Sequence, residues 1–138
     1  MIPNKRLLLG LFHTYNNKYF DGILPMPSFK IRHTYKILGY FSCDVGEDGT
    51  IYNPCIEVSD NYDYFENQLE DIMVHEMIHY YLAFTGSDIR CSHGKEFSKM
   101  ACSFNSKYHL NIRSRIDLSE YSIREGKSRL MFTLSTLF

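Results

Sequence analysis

The stretch from Asp63 to Gly86 constrains the fold more strongly than any other part of the chain. Asp63, with Glu66 three residues later, is typical of a helix start, and Gly86 is typical of a helix end. Between them, apolar residues recur at the spacing of one helix face: Leu69, Ile72, Met73, Met77 and Tyr80. The sequence therefore predicts one long helix with one side in the core.

The residues before this helix predict a first helix and then a small sheet. Asn4 is suited to cap a helix in which Leu7, Leu8, Leu11, Phe12, Tyr15 and Tyr19 recur at helical spacing. Three short strands are expected next, with a hairpin loop at Asp44–Gly49 between the second and third. The predicted strands are Phe29–His33, Ile37–Cys43 and Ile51–Ser59.

After the long helix, a polar loop leads to another helical pattern, in which the apolar residues are Phe97, Met100, Ala101 and Phe104. The rest of the chain, 111–138, is expected to be a strand-like C-terminal extension. Helices at both ends of a short strand meander predict an α+β fold. In it a small antiparallel or mixed sheet packs on the long helix and on the helix that follows.

The composition fits a single domain covering 1–138. The chain has 138 residues, of which 44% are hydrophobic, and its net charge of −1 does not favour a polyanionic partner for the chain as a whole. None of its four cysteines forms a C-x-x-C pair, so a thiolate zinc ribbon is not encoded. We expect free thiols in the cytoplasm, and no membrane partner because no apolar run reaches membrane-spanning length.

A metal-site motif lies inside the long helix, at His75-Glu76-Met77-Ile78-His79. Residues four apart lie one turn apart on one helix face, so His75 and His79 can converge on one ion. Glu76 lies beside them, where it can accept a proton from water without being a ligand. Zinc suits imidazole ligands and keeps an open position when the protein supplies three. The sequence predicts one Zn²⁺ ion; the alternative is two histidines that only face solvent.

The third ligand is predicted to be His93, which follows a helix-ending glycine and a polar loop. Glu96 is its competitor, because some zinc peptidases use a carboxylate at this position. If His93 is the ligand, Glu96 is expected to orient an imidazole or to lie at a helix N-terminus. Cys91 is a further candidate, as a soft ligand or a redox-sensitive neighbour, although a structural role is commoner.

These residues predict metal-assisted hydrolysis of a peptide bond, with Glu76 as general base. We expect an extended polypeptide substrate to pair with an edge strand near Ile51–Ser59, because Pro54 fits an edge. The oxyanion stabiliser cannot be ranked among Tyr40, Tyr80, Tyr81 and Tyr108. Two alternatives stay open: a non-catalytic zinc-containing module that binds DNA or protein, and a zinc hydrolase of small molecules.

Basic residues are concentrated near the end of the chain, and they are a candidate DNA contact. A solvated surface is an equally good explanation, because acidic residues are mixed among them. The residues are Lys107, Arg113, Arg115, Arg124, Lys127 and Arg129.

Four motifs, taken in order, resemble those of the SprT-like (Spartan-type) zinc metalloproteases over roughly residues 5–110. The long helix carries His75-Glu76-Met77-Ile78-His79-Tyr80-Tyr81, and the third-ligand motif is His93-Gly94-Lys95-Glu96-Phe97. The first helix and hairpin carry Tyr15-Asn16-Asn17-Lys18-Tyr19-Phe20, Leu24-Pro25 and Leu38-Gly39-Tyr40-Phe41.

The resemblance implies a zincin-like α+β fold and proteolysis in the cytosol or at the nucleoid. It also implies repair of DNA–protein crosslinks as the best-known role of the family. Many relatives continue into a cysteine-rich zinc ribbon, which these residues lack. The chain is therefore expected to be either a piece of a longer protein or a member without that module.

Overall fold

The computed structural model describes residues 1–126, which form three helices and five strands. The helices are α1 (Lys5–Tyr19), α2 (Glu66–Phe84) and α3 (Lys95–Tyr108). The strands are β1 (Ser28–Arg32), β2 (Gly39–Val45), β3 (Ile51–Ser59), β4 (Tyr62–Asp63) and β5 (Ser122–Ile123). A short 3-10 turn, Leu118–Glu120, precedes β5.

The first three strands form a mixed sheet in the order β1-β3-β2, with β3 parallel to β1 and antiparallel to β2. Helix α2 packs against β2 and β3, and both α1 and α3 contact α2. This arrangement confirms the predicted α+β fold, with a small sheet on the long helix.

Helix α1 begins where the sequence predicts, because the side chain of Asn4 accepts a hydrogen bond of 2.8 Å from the Leu7 amide. Its buried face includes Leu8 and Phe12, and the Phe12 ring packs edge-on against Phe29 of β1. The first helix is thereby fixed against the sheet.

The N-cap of α2 is Phe65, two residues after Asp63, the predicted start. Asp63 belongs to β4, where it pairs with Ser122 of β5, and its carboxylate accepts a hydrogen bond from the amino group of Met1. These partners are distant in sequence, so the local helix-start pattern could not reveal them. The end of α2 is close to the prediction, since Gly86 has φ +79, a conformation that favours glycine.

The predicted edge strand is wrong, because β3 is the central strand of the sheet. Pro54 is accommodated at an irregular place: pairing of β3 with β1 starts only at Cys55, and the register of β2 on β3 shifts between Ser42 and Asp44. A missing amide proton is tolerated at such a bulge. Strand β2 packs against α2 and has one edge with no neighbouring strand among residues 1–126.

The described part of the predicted strand-like extension is mostly irregular. Its only paired strand is β5, of two residues, and the remainder of 111–126 consists of turns and loop. Residues 127–138 lie outside the described part, and with them the final portion of this prediction. The single-domain boundary stays a prediction.

The core surrounds α2. All five apolar residues predicted for its inner face are buried, and the Tyr80 ring stacks on Phe41 of β2 at 5.2 Å between ring centroids. All four cysteines are free thiols. Of the helices within 1–126, none combines the length and apolar character needed to cross a lipid bilayer.

Candidate metal centre

The face of α2 that turns toward α3 carries two of the predicted ligands. His75 and His79 lie one turn apart, with their ring centroids separated by 5.1 Å. Because α2 is the central helix of the core, these side chains are largely enclosed: His79 is 5% exposed and the intervening Glu76 is 6% exposed.

The loop after α2 brings the third histidine to the same place. His93 lies immediately before Gly94, the N-cap of α3. The loop is shaped by Asp88, whose carboxylate accepts hydrogen bonds from the Arg90 amide at 2.9 Å and from the Ser92 hydroxyl at 2.6 Å. As a result, the Nε2 atom of His93 lies 3.1 Å from Nε2 of His75 and 3.1 Å from Nε2 of His79.

The protonation states of the three rings suit a cation. Burial, with the neighbouring imidazoles, lowers the pKa of His75 from its ordinary value to about 3, and burial lowers that of His79 to about 4. Burial also lowers the pKa of His93. A neutral imidazole ring has one nitrogen with a free lone pair, which can bind a metal ion. A proton on Nε2 of His93 could be donated in a hydrogen bond to only one of the two neighbouring nitrogens, so one hydrogen bond does not account for both close distances.

The spacing of the donor atoms also fits a metal ion. Bonds of 2.0–2.1 Å at tetrahedral angles would hold ligand nitrogens about 3.3 Å apart, close to the 3.1 Å observed. His75, His79 and His93 form a group that could hold a metal ion. The donor set, three neutral imidazoles, is one that zinc accepts.

The competing ligands do not join this group. Glu96 is exposed on the first turn of α3, and within residues 1–126 it makes no hydrogen bond or ion pair with the three imidazoles. Its predicted role in orienting a ligand remains a prediction. Cys91 is also outside the group of side chains that could hold the ion, and burial raises the pKa of its thiol to about 11.

Glu76 lies at the edge of the histidine cluster, with Oε2 3.9 Å from Nε2 of His75. Its carboxylate packs against the backbone of β2 at Gly39. A Cβ atom at Gly39 would lie 2.8 Å from Oε2 of Glu76 and 2.9 Å from a methyl carbon of Ile72. The absence of a side chain at this position therefore makes room for the carboxylate. Burial raises the pKa of Glu76 from its ordinary value to about 8.

His75, Glu76 and His93 line a cleft of about 390 Å³. One wall is the segment 36–39 that leads into β2, and the other is the irregular segment 111–121 after α3. The second wall is attached to α2, because the carboxylate of Asp71 accepts a hydrogen bond of 3.0 Å from the Asn111 amide. Exposed residues occur in both walls, so the cleft is open to solvent.

Three contributions to the site could not be recognised from the sequence. In the sequence, Gly39 and Phe97 are noticed only as members of a motif or an apolar pattern, with no role of their own in the site. Their contacts with the site residues depend on how different helices and strands pack together. The backbone of Arg113 lies near the His75 ring and partly opposes the fall in its pKa, and a backbone group beside a metal-binding histidine can orient the ring. No local sequence signal identifies such a backbone group.

None of the four tyrosines named as oxyanion candidates lines this cleft. Tyr121 lines the cleft, and it is the one tyrosine among residues 1–126 that does so. The hydroxyl of Tyr80 donates a hydrogen bond of 2.8 Å to the Pro25 carbonyl and is already engaged.

The basic residues predicted to contact DNA are dispersed. Arg113 and Arg115 line the cleft, and Arg113 pairs with Glu120 at 2.7 Å. Arg124 pairs with Asp60, and the Lys107 ammonium lies over the Tyr108 ring. Lys127 and Arg129 lie outside the described residues. DNA contact stays a prediction.

An α+β domain whose longest helix supplies two of three converging histidines, beside a buried glutamate, belongs to the metallopeptidase-like class. The model of the SprT-like family matches residues 8–116, about four fifths of the sequence. The chain therefore belongs to the SprT-like family, whose membership indicates a metallopeptidase-type enzyme. A comparison with curated proteins finds no match.

Proposed function

We propose that this protein is a zinc-dependent endopeptidase in which His75, His79 and His93 hold one Zn²⁺ ion and Glu76 is the general base. The observation that carries this proposal is the convergence of three neutral imidazole nitrogens next to a buried carboxylate in an open cleft.

The ion has the chemistry that peptide hydrolysis requires: bound zinc polarises a scissile carbonyl and acidifies water. The protein's part is to hold the three rings together. Helix α2 fixes His75 and His79 one turn apart, and the loop shaped by Asp88 delivers His93. Only three protein ligands converge among residues 1–126, which favours a catalytic site over a structural one with four.

Glu76 moves the proton. Its Oε2 atom takes a proton from the attacking water and returns it to the nitrogen of the leaving amine. Burial gives this carboxyl an unusually high affinity for protons, and a nearby cation would lower its pKa back toward neutrality. A general base is most effective when its pKa lies near the working pH.

The substrate is an extended polypeptide that pairs with the edge of β2. This strand replaces the central β3 as the platform, because β2 has a free edge among residues 1–126 and begins at Gly39, directly against Glu76. An added strand there would run along the cleft wall formed by 36–39. The resemblance predicts DNA-associated proteins as substrates and a cytoplasmic or nucleoid-associated location.

The test compares Glu76→Gln with Glu96→Gln, each loaded with zinc, in cleavage of a labelled unstructured polypeptide. Glu76→Gln should keep zinc, since it is not a ligand, and should lower kcat by about 10² to 10⁴-fold. Glu96 is exposed on the first turn of α3, and Glu96→Gln should keep kcat near the parental value because Glu96 is not the proposed general base.

Two results would contradict the proposal. A Glu76→Gln variant that retains zinc and cleaves at the parental rate would remove Glu76 from the mechanism. Cleavage confined to small esters or amides, with polypeptides left intact, would favour the small-molecule hydrolase instead.

A further inference from the structure

All three imidazoles pack on one side chain, Phe97. Its ring centroid lies 4.7 Å from that of His75, 4.6 Å from that of His79 and 4.9 Å from that of His93. Phe97 is 1% exposed, so this side chain is a buried floor beneath the nitrogen cluster.

The position of Phe97 in α3 explains why it reaches all three rings. It is the third residue of α3, four residues after His93, and side chains in a helix lean toward its N-terminus. Phe97 therefore leans toward His93 and, across the contact between α2 and α3, toward His75 and His79. The ring orientations differ: His79 is stacked at 25° to Phe97, whereas His75 and His93 meet it at 56° and 68°.

His79 shows why this floor matters. A metal-bound histidine is usually oriented by a hydrogen bond from its other ring nitrogen to an oxygen atom. For His75, the neighbouring polar group is the backbone of Arg113, which raises the pKa of the ring. In His79, however, Nδ1 is buried and has no hydrogen-bond partner among residues 1–126. The plane of its ring must be set by packing instead, and the stacked face of Phe97 is the contact that does so.

We propose that Phe97 is a positioning residue for the metal centre, which holds the three imidazoles in the arrangement that binds the ion before the ion arrives. The inference rests on the proposed function, because it takes the three histidines to be the ligands. It adds a role for an apolar side chain that touches neither metal nor substrate.

The experiment substitutes Phe97→Leu, which keeps an apolar side chain but removes the flat face. The control is Phe104→Leu, which removes another aromatic ring of α3, one that packs on Phe20 and Tyr19 rather than on the histidines. Zinc affinity is measured by competition with a chelator, and Co²⁺ is bound in place of zinc so that its visible absorption reports the ligand geometry.

Phe97→Leu should weaken zinc binding by about 10- to 100-fold, the range found when other groups that orient ligands are lost. It should also shift the Co²⁺ absorption bands. Phe104→Leu should leave the bands unchanged and the zinc affinity within about twofold of the parent. If Phe97→Leu does not fold, Phe97→Met fills the site with an unbranched side chain and is expected to give the same shift.

A second measurement uses the unmutated, metal-free protein. Its crystal structure should show the three imidazoles already packed on the Phe97 ring. Imidazoles turned away from Phe97 there, or unchanged Co²⁺ bands and zinc affinity in Phe97→Leu, would overturn the inference. These results differ from a failure of the proposed function, in which the parent protein itself would bind neither zinc nor Co²⁺.

Discussion

The histidine cluster and the Glu76 carboxylate are neighbours, yet opposite structural means hold them in place. The three imidazoles are packed on a large aromatic side chain, Phe97 of α3. The carboxylate of Glu76 fits because β2 has no side chain at Gly39. The histidine cluster is therefore supported by a bulky side chain, whereas the carboxylate is accommodated by the absence of one.

This difference indicates that metal binding and proton transfer can be separated by mutation. Both halves share α2, but each is shaped by a different partner element, α3 for the imidazoles and β2 for the carboxylate. Changes on the α3 side should alter metal affinity first. Changes on the β2 side should alter turnover while the ion stays bound.

The largest effect is expected from His79→Ala, which removes a ligand itself. Zinc affinity should fall by well over about 100-fold, since loss of a ligand must exceed the 10- to 100-fold cost of losing a group that only orients one. Elemental analysis of protein supplied with zinc and then desalted measures retention. His13→Ala is the matched control, because His13 is exposed on α1 and should leave retention unchanged. Equal zinc content in the two variants would remove His79 from the site.

A smaller effect, confined to turnover, is expected from Gly39→Ala. The added methyl group would lie 2.8 Å from Oε2 of Glu76, so the carboxylate or β2 must shift. Misplacement of a catalytic group by about 1 Å can cost about 10²-fold in rate, so we expect kcat to fall by about 10- to 100-fold.

Zinc affinity in Gly39→Ala should stay within a few-fold of the parent. Gly10→Ala is the control, because a Cβ atom at that position of α1 would meet nothing within 4 Å. If Gly39→Ala lost zinc and activity together, the two halves of the site would not be independent.

The sequence predicted the parts of this architecture that depend on neighbours along the chain. The α2 helix, its buried face and the His75–His79 pair follow from spacings of three and four residues, and the structure confirms that face as buried. The start of α2 was misplaced because Asp63 pairs with Ser122 and accepts a hydrogen bond from Met1, both far away in sequence. The roles of Gly39 and Phe97 were missed for the same reason, since each depends on a distance between two different elements.

The smallest expected effect is the pH dependence of the free energy of unfolding of the metal-free protein. It distinguishes the histidine cluster from Glu76. Burial moves their pKa values in opposite directions, down for His75 and His79 and up to about 8 for Glu76. Between pH 8 and an ordinary carboxyl pKa of about 4.5, folded Glu76 keeps a proton that the unfolded chain has lost. Its contribution to stability therefore increases as the pH falls through this range.

The histidines act in the opposite sense below pH 6.5, their ordinary pKa, because the unfolded chain then binds protons that the folded chain excludes. The free energy of unfolding should rise from pH 8 to about 6.5 and fall below it, with each group changing it by at most about 1.4 kcal/mol per pH unit. Urea unfolding in the presence of a chelator measures this curve. In Glu76→Gln the rise from pH 8 to 6.5 should flatten while the fall at lower pH remains. If Glu76→Gln instead shifted the whole curve by a constant amount, the carboxyl would not be titrating in this range, and burial would not distinguish the two halves.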